Sequence, residues 1–580
     1  MKSETRKCQN CKNEFIIEPD DFGFYEKIKV PPPTFCPECR LQRRMIRRNE
    51  RFLYSRTCSD TGKKIVSVYD ADVSFPVYSR EYWYSDNWDG TNYGRDYDFS
   101  RPFFEQLKEL AEVAPRLNLW SVNTVNSDYS NYIVDSKNCY LCFTALGGNE
   151  DCMYSGYLNG SINCIDCDYI TKCDKCYQCF NCDNSYNCQY SIDSSNCRDS
   201  AFLADCSDCS DCFGCVGLRN KQYHIWNKAY TKEEYQAELV NLKMPSRQNV
   251  VFLKDKLNKL WLEFPHRYMH GKKNQNVTGD YVINSNNCKN SFFINNSEDS
   301  KNLFFTFGLK TSMDVIISPL NNELLYECHA IPKQNQNIKF SDLVSNGSDD
   351  VEYSSNCEGC SHIFGCIGLR KKEYCILNKQ YAKEEYEKLV KDIKEHMKKV
   401  PYTSKGGQIY AYGEFFPPEI SPFTYNESIA QEHFPLTKIE AEKKGLQWKD
   451  LKEKNYQATL SPLIVPDDPT QNKTDLITEI IGCMNEGKGE HNCTIAFRIL
   501  PDELQFYKQG NIPIPVYCPN CRHHQRLGQR NPLKLWRRQC MCDKKHYNHE
   551  GHCEVEFETS YALERPEIVY CEKCYQQEVY

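Results

Sequence analysis

Residues Asn163-Cys-Ile-Asp-Cys-Asp-Tyr-Ile-Thr-Lys-Cys-Asp-Lys-Cys-Tyr-Gln-Cys-Phe-Asn-Cys-Asp183 read in threes, and the beat continues to Gly217-Leu-Arg219. All 19 triplet centres from Cys164 to Leu218 are Cys, Ser, Ile or Leu, 12 of them Cys, and 11 of the residues just before them are Asn or Asp. A short fixed period with small centres is the signature of a stacked coil. A plain strand repeats every two residues, so a period of three implies frequent corners. Asn and Asp suit corners because they tolerate left-handed backbone. The expectation is a parallel β-solenoid whose turn is a multiple of three residues, with 18 and 24 both fitting.

The same frame returns at Ser285, Cys288, Ser291, Ile294, Ser297, Ser300 and Leu303, continues to about Ser318, and closes with Cys357, Cys360, Ile363, Cys366 and Leu369. Each run ends alike: Phe213 to Tyr235 and Phe364 to Tyr386 agree at 16 of 23 positions, which predicts two tandem solenoids. Tyr223, Ile225 and Asn227 alternate as a last strand, and Thr231 with Glu234 has the form of a capping box. Tyr386, Leu389, Val390, Ile393 and Met397 keep helical spacing up to Pro401. Each coil should therefore be closed by a strand and an amphipathic helix. The central thiols read as core rather than as ligands. Leu and Ile replace Cys within one frame, and a buried unligated Cys behaves as a small hydrophobe.

The ends are written differently. Cys8-x2-Cys11 and Cys36-x2-Cys39 form two CxxC knuckles, the spacing of a closed four-thiolate zinc site. A shift of 482 residues lays the first copy on a second, with Cys11 on Cys493, Cys36 on Cys518, Cys39 on Cys521 and Cys58 on Cys540. Cys8 falls on Glu490, so the fourth ligand there is open; Cys483 is preferred as the softer donor, with His491 behind it. A third site follows in Cys553, Cys571 and Cys574 plus one of Cys540 and Cys542. His546, His549 and His552 lie between them and read as a solvated loop. About three structural Zn²⁺ ions are expected.

The run Cys8-x2-Cys11, Phe15, Phe24-Tyr25-Glu26-Lys27, Pro33, Cys36-Pro37-x-Cys39-Arg40 resembles the small "probable zinc-ribbon" domains of bacteria. Further segments are similar to uncharacterised multidomain zinc-ribbon proteins of candidate-phyla bacteria. These are Tyr82-Trp83-Tyr84-Ser85-Asp86-x-Trp88-Asp89, Asp98-Phe99-Ser100-Arg101-Pro102-Phe103-Phe104, Tyr412-Gly413-Glu414-Phe415-Phe416-Pro417-Pro418 and Arg565-Pro566-Glu567-Ile568-Val569-Tyr570-Cys571. The resemblance implies zinc binding and brings no activity with it.

With 580 residues and 26% charged residues the chain reads as an ordered protein of several domains. Its fold class is mainly β: two Cys/Ser/Asn-rich parallel β-solenoids with helical caps, flanked by zinc ribbons at both ends. The expected layout is an N-terminal ribbon with an Arg-rich helix (1–58), an aromatic-rich α+β segment (59–125), two solenoids (126–245 and 246–400), an irregular connector (401–480) and two further ribbons (481–539 and 540–580). Ser100 and Pro102 should open a helix through Phe103, Phe104, Leu107 and Leu110, and the aromatics around it should pack as a core. No secretory leader and no long apolar run is seen, so a reducing, cytoplasmic setting is expected for the thiols.

Arg40, Arg43, Arg44, Arg47 and Arg48 share one helical face, echoed by Arg522, Arg526 and Arg530. The stripe suits phosphates of RNA or DNA; its alternative is a salt-bridged face inside a chain of net charge −7. The leading expectation is a zinc-binding, non-enzymatic scaffold contacting nucleic acid through these arginines. Second is a protein-interaction scaffold using the solenoid faces, and third a metal- or thiol-dependent enzyme. For the last no phosphate loop, HExxH or GxSxG motif is found. Oligomeric state is not readable.

Overall fold

The computed structural model describes residues 2–242, 246–332, 334–450, 456–470, 475–488, 492–546 and 549–579. The triplet tract winds as a parallel coil, and its turn is 12 residues, not 18 or 24. Gly156 pairs with Asp168, Tyr186 with Arg198, and Arg198 with Ser210. The reason is that every triplet makes a corner. Asn163, Asp166, Tyr169 and Lys172 all have φ between 51 and 58°, so four left-handed residues close one turn.

The central side chains stack inside. Cys164 donates its thiol to the carbonyls of Ile162 (3.2 Å) and Cys173 (3.6 Å), and Cys188 does the same to Tyr186 and Cys197. Ser185 takes the same role, donating to the Asp183 carbonyl and accepting from the Cys197 amide. Cys and Ser interchange because either donor satisfies an inward carbonyl, whereas Leu203 merely fills. These thiols are buried and unpaired, and none of the cation-ready clusters among the described residues includes them.

The second coil runs from Gly271 to Ile376. Its frame is lost in the sequence after Ser318 because three successive turns there hold 13 residues, as in Glu323 to Gln336 and Gln336 to Asp349. Each coil ends in an antiparallel strand, Lys228–Ala229 or Lys379–Gln380, that stops further pairing. A helix then covers the end. Lys232–Asn241 is opened by the Thr231–Glu234 capping box, and Lys383–Lys399 buries Tyr386, Ile393 and Met397.

The two coils lie side by side against an aromatic seam. Tyr157 stacks on Tyr169 at 4.3 Å, Tyr169 on Phe293 at 4.0 Å, and Phe293 on Tyr281 at 4.4 Å. All four sit at left-handed corners, with φ of 54 to 58°. That conformation costs roughly 1–2 kcal/mol per residue. Ring stacking returns about 0.5–1.5 kcal/mol per pair beyond the area buried.

The helix before the first coil is Phe103–Ala111, with Phe103, Phe104, Leu107 and Leu110 buried. Its N-cap is Pro102 rather than Ser100, whose hydroxyl is turned to Asp98. Trp83, Trp88 and Tyr97 are buried as core. In the segment expected as an irregular connector, Phe415 and Phe416 enter the same core as Phe103, and Glu414 accepts from the Thr34 amide. Among the described residues no helix is long and apolar enough to cross a membrane.

Candidate metal centres

The first ribbon is a hairpin of Glu4–Lys7 and Glu14–Ile17 with Cys8 and Cys11 at its turn, followed by helices Pro19–Lys27 and Pro37–Met45. Cys36 is the N-cap of the second helix and Pro37 its first residue, which places Cys36 and Cys39 on the N-terminal turn. The second ribbon repeats the plan with Ile481–Gly482 against Ala496–Phe497 and helices Pro501–Gln509 and Pro519–Leu527, capped by Cys518.

Each knuckle pair converges. The sulfurs of Cys8, Cys11, Cys36 and Cys39 lie within 4.8 Å of one another, as do those of Cys483, Cys493, Cys518 and Cys521. Cys483, preferred for its softness, completes this group of four; His491 and Glu490 lie outside the described residues. Sulfur separations are 3.7 Å for Cys11–Cys36 and Cys483–Cys521 and 3.9 Å for Cys493–Cys518. A disulfide would bring them to about 2.05 Å. Tetrahedral bonds of about 2.3 Å to one ion put the edges near 3.8 Å.

Backbone amides also point at the sulfurs, from Cys36 to Cys8, Thr494 to Cys518 and Cys518 to Cys483, at 3.2 to 3.4 Å. Such donors stabilise thiolates. The thiols of Cys36 and Cys39 hold Cys8 well below the ordinary thiol range. Those of Cys483 and Cys521 do the same for Cys518. Their neighbours Cys39 and Cys521 are pushed well up by the same contacts. Four thiolates cannot coexist there without a cation, so the donor set fits a divalent metal with no open position.

In the C-terminal module Cys540, Cys553, Cys571 and Cys574 gather, so of the two alternatives it is Cys540 that joins the other three. The Cys571 amide donates to Cys540 Sγ at 3.2 Å. Cys542 turns to another group, with His546, His549 and again Cys574. The solvated-loop reading holds for His552, which pairs with Asp543 at the surface, and fails for the other two. Their signal was the spacing Cys542-x3-His546-x2-His549.

A counterpart of this module stands after the first ribbon without its donors. Val77-Tyr78-Ser79-x2-Tyr82 matches Val569-Tyr570-Cys571-x2-Cys574. The Ser79 amide donates to Cys58 Sγ at 3.3 Å, as Cys571 does to Cys540. Here Tyr78, Trp83, Trp88 and Leu117 pack around Cys58 instead.

The arginine stripe is corrected by the structure. Arg40, Arg43, Arg44, Arg47 and Arg48 are all buried, at 4% exposure or less. Arg40 and Arg44 pair with Asp314 on the second coil, Arg43 and Arg44 with Glu327, and Arg43 also with Glu414. Arg47 meets Asp342 at 2.5 Å and Arg48 meets Glu50 at 2.6 Å. The second ribbon docks on the first coil in the same way. Arg522 and Arg526 pair with Asp166, and Arg526 with Asp168. Arg530 donates to the Glu432 carbonyl. So each ribbon grips the other half's coil. Asp166 and Asp314 are matched even in backbone, both at left-handed corners with φ of 55 and 59°. The acidic partners were missed because nothing in one sequence says which carboxylates are inside.

No protein-family model and no curated protein matches this chain.

Proposed function

We propose that this protein is a non-enzymatic scaffold whose terminal clusters hold structural Zn²⁺ and whose solenoid flanks bind protein. Zinc is the reading for the metal because tetrahedral thiolate sites without an open position suit it, and because it brings no redox chemistry to a thiol-rich chain. The observation that carries the scaffold reading is the fate of the arginines. Their charge is matched inside by carboxylates, and the chain as a whole carries a net charge of −7. Along the first coil Asn184 donates to Asn196 and Asn196 to Asp208, while Asn187 donates to Asp199. On the second, Asn276 donates to Asn287 and Asn287 to Asp299. These exposed amide ladders end in carboxylates, a regular polar flank that repels phosphate and suits a basic protein partner. Contact with RNA or DNA, the other reading, loses the residues that would make it.

The test has two arms. Fluorescence anisotropy with single-stranded RNA and duplex DNA at low salt should show no saturable binding; tight, salt-sensitive binding would sink the proposal. In the second arm, proteins retained by the wild-type chain should be lost with the Asp199→Lys, Asp208→Lys variant. Equal retention would move the binding surface elsewhere. Metal analysis of the same preparation checks for zinc.

A further inference from the structure

We infer that the C-terminal module holds two metal ions in one centre, bridged by the Cys574 thiolate. This rests on the metal reading of the terminal clusters and goes beyond it. Seven side chains converge there: the sulfurs of Cys540, Cys542, Cys553, Cys571 and Cys574 and the imidazoles of His546 and His549. They fall into two groups of four, each with its donor atoms within 4.8 Å of one another, and the single member common to both is Cys574. Two tetrahedral shells that share one vertex need seven donors. One ion would leave Cys542 and both histidines without a use, although Cys542 is wholly buried.

The local geometry places Cys574 between the groups. Its Sγ lies 3.5 Å from Cys571 Sγ on one side and 3.1 Å from His549 Nε2 on the other. His546 Nε2 lies 3.1 Å from Cys542 Sγ. His549 Nδ1 faces the Gly551 carbonyl at 2.9 Å and donates to it, so its Nε2 lone pair is the one turned inward. That carbonyl fixes the tautomer a metal-ligating imidazole requires. A reciprocal backbone pair, His546 amide to His549 carbonyl and the reverse, holds the two rings together. Glu578, one helical turn beyond Cys574 and paired with Lys544, lies 3.6 Å from His546 and braces the outer edge.

Charge argues the same way. Five thiolates around one divalent ion would leave three uncompensated negative charges in a buried cluster, and a second divalent ion reduces that to one. A shared thiolate is also the natural economy where donors are crowded. The counterpart around Cys58 shows that the backbone plan closes without metal when aromatics fill it. Around these cysteines the buried cluster holds just two other residues, Tyr570 and Tyr575, so metal takes the place of a core.

The experiment is ¹¹³Cd substitution of the full chain followed by ¹¹³Cd NMR. Four resonances are expected, two of them split by each other through the shared sulfur. In the His546→Ala, His549→Ala variant one resonance and the splitting should vanish while the other three persist. Three resonances in the wild type would mean that thiol–imidazole hydrogen bonds alone explain the cluster, overturning the second ion but not the first. Four without mutual splitting would overturn the bridge. No resonance at all would remove the metal reading of the chain as a whole. The wild-type spectrum decides by itself if the variant misfolds.

Discussion

Arg44 on the first ribbon lies 2.7 Å from Glu327 on the second solenoid, and neither side chain has any exposure to solvent. The pair joins residues 283 apart in sequence, and its counterpart, Arg526 with Asp166 at 2.8 Å, joins the second ribbon to the first coil. The ends of the chain are crossed over its middle and held there by buried charge.

Truncating one side of such a pair leaves the other under-compensated. Arg44→Ala should destabilise the chain by about 3 kcal/mol, because Glu327 and Asp314 each lose one buried counter-charge and keep only Arg43 and Arg40. Chemical denaturation followed by near-ultraviolet circular dichroism measures it, and a loss below about 1 kcal/mol would contradict the docked arrangement.

Metal removal should act on the same helix. Cys36 and Cys39 open Pro37–Met45, so stripping the ion with a chelator, or changing Cys36→Ser, should release the helix from the second coil. Trypsin is expected to cut after Arg40, Arg43 or Arg44 only then, with mass spectrometry locating the cuts. Unchanged resistance in the stripped protein would separate docking from metal.

The solenoid thiols should behave as core. Burial pushes those of Cys357 and Cys366 well up and that of Cys328 up to about 12, so native alkylation should be slow at all of them. Cys176→Ala or Cys182→Ala should cost roughly 1–2 kcal/mol in packing and leave the metal content unchanged. Rapid labelling of most of the tract would refute the stacked interior.

Stability should fall with rising pH through one histidine. His270 stacks on Tyr281 at 4.6 Å and faces Asp280 at 2.9 Å and Asp193 at 3.5 Å. Burial alone would lower its pKa, but Asp193 and Asp280 outweigh it and raise it to about 9. Asp193 itself is raised by burial, while Asp280 is lowered, so Asp280 is the firmer partner. The folded value exceeds the unfolded value of about 6.5. The stabilisation is therefore complete below that pH and lost as pH climbs through 9, at most about 3 kcal/mol. In His270→Gln the decline between pH 6.5 and 9 should flatten; an identical profile would exclude this group.

What one sequence determined here was everything local. The triplet beat at Asn163–Arg219 specifies the corners because the Asn and Asp at most of them accept left-handed backbone most readily, and Thr231 with Glu234 specifies a helix start. The spacings around Cys36 and Cys518 put two donors on one helical turn. Even Cys483 was accessible, from the softness of sulfur. The length of the solenoid turn was not legible, because period three fits any multiple; closure after four corners is a property of the coil in space. Nor was the frame between Ser318 and Cys357, where one inserted residue per turn hides it from a reader counting in threes. The arginine stripe shows the limit most plainly. The helix ends at Met45, so it carries Arg40, Arg43 and Arg44 while Arg47 and Arg48 follow it, and a helix cannot say what it faces. Asp314, Glu327 and Glu414 come from elements 270 to 371 residues away, and only their tertiary arrangement turned a surface suited to phosphate into the buried joint of the molecule.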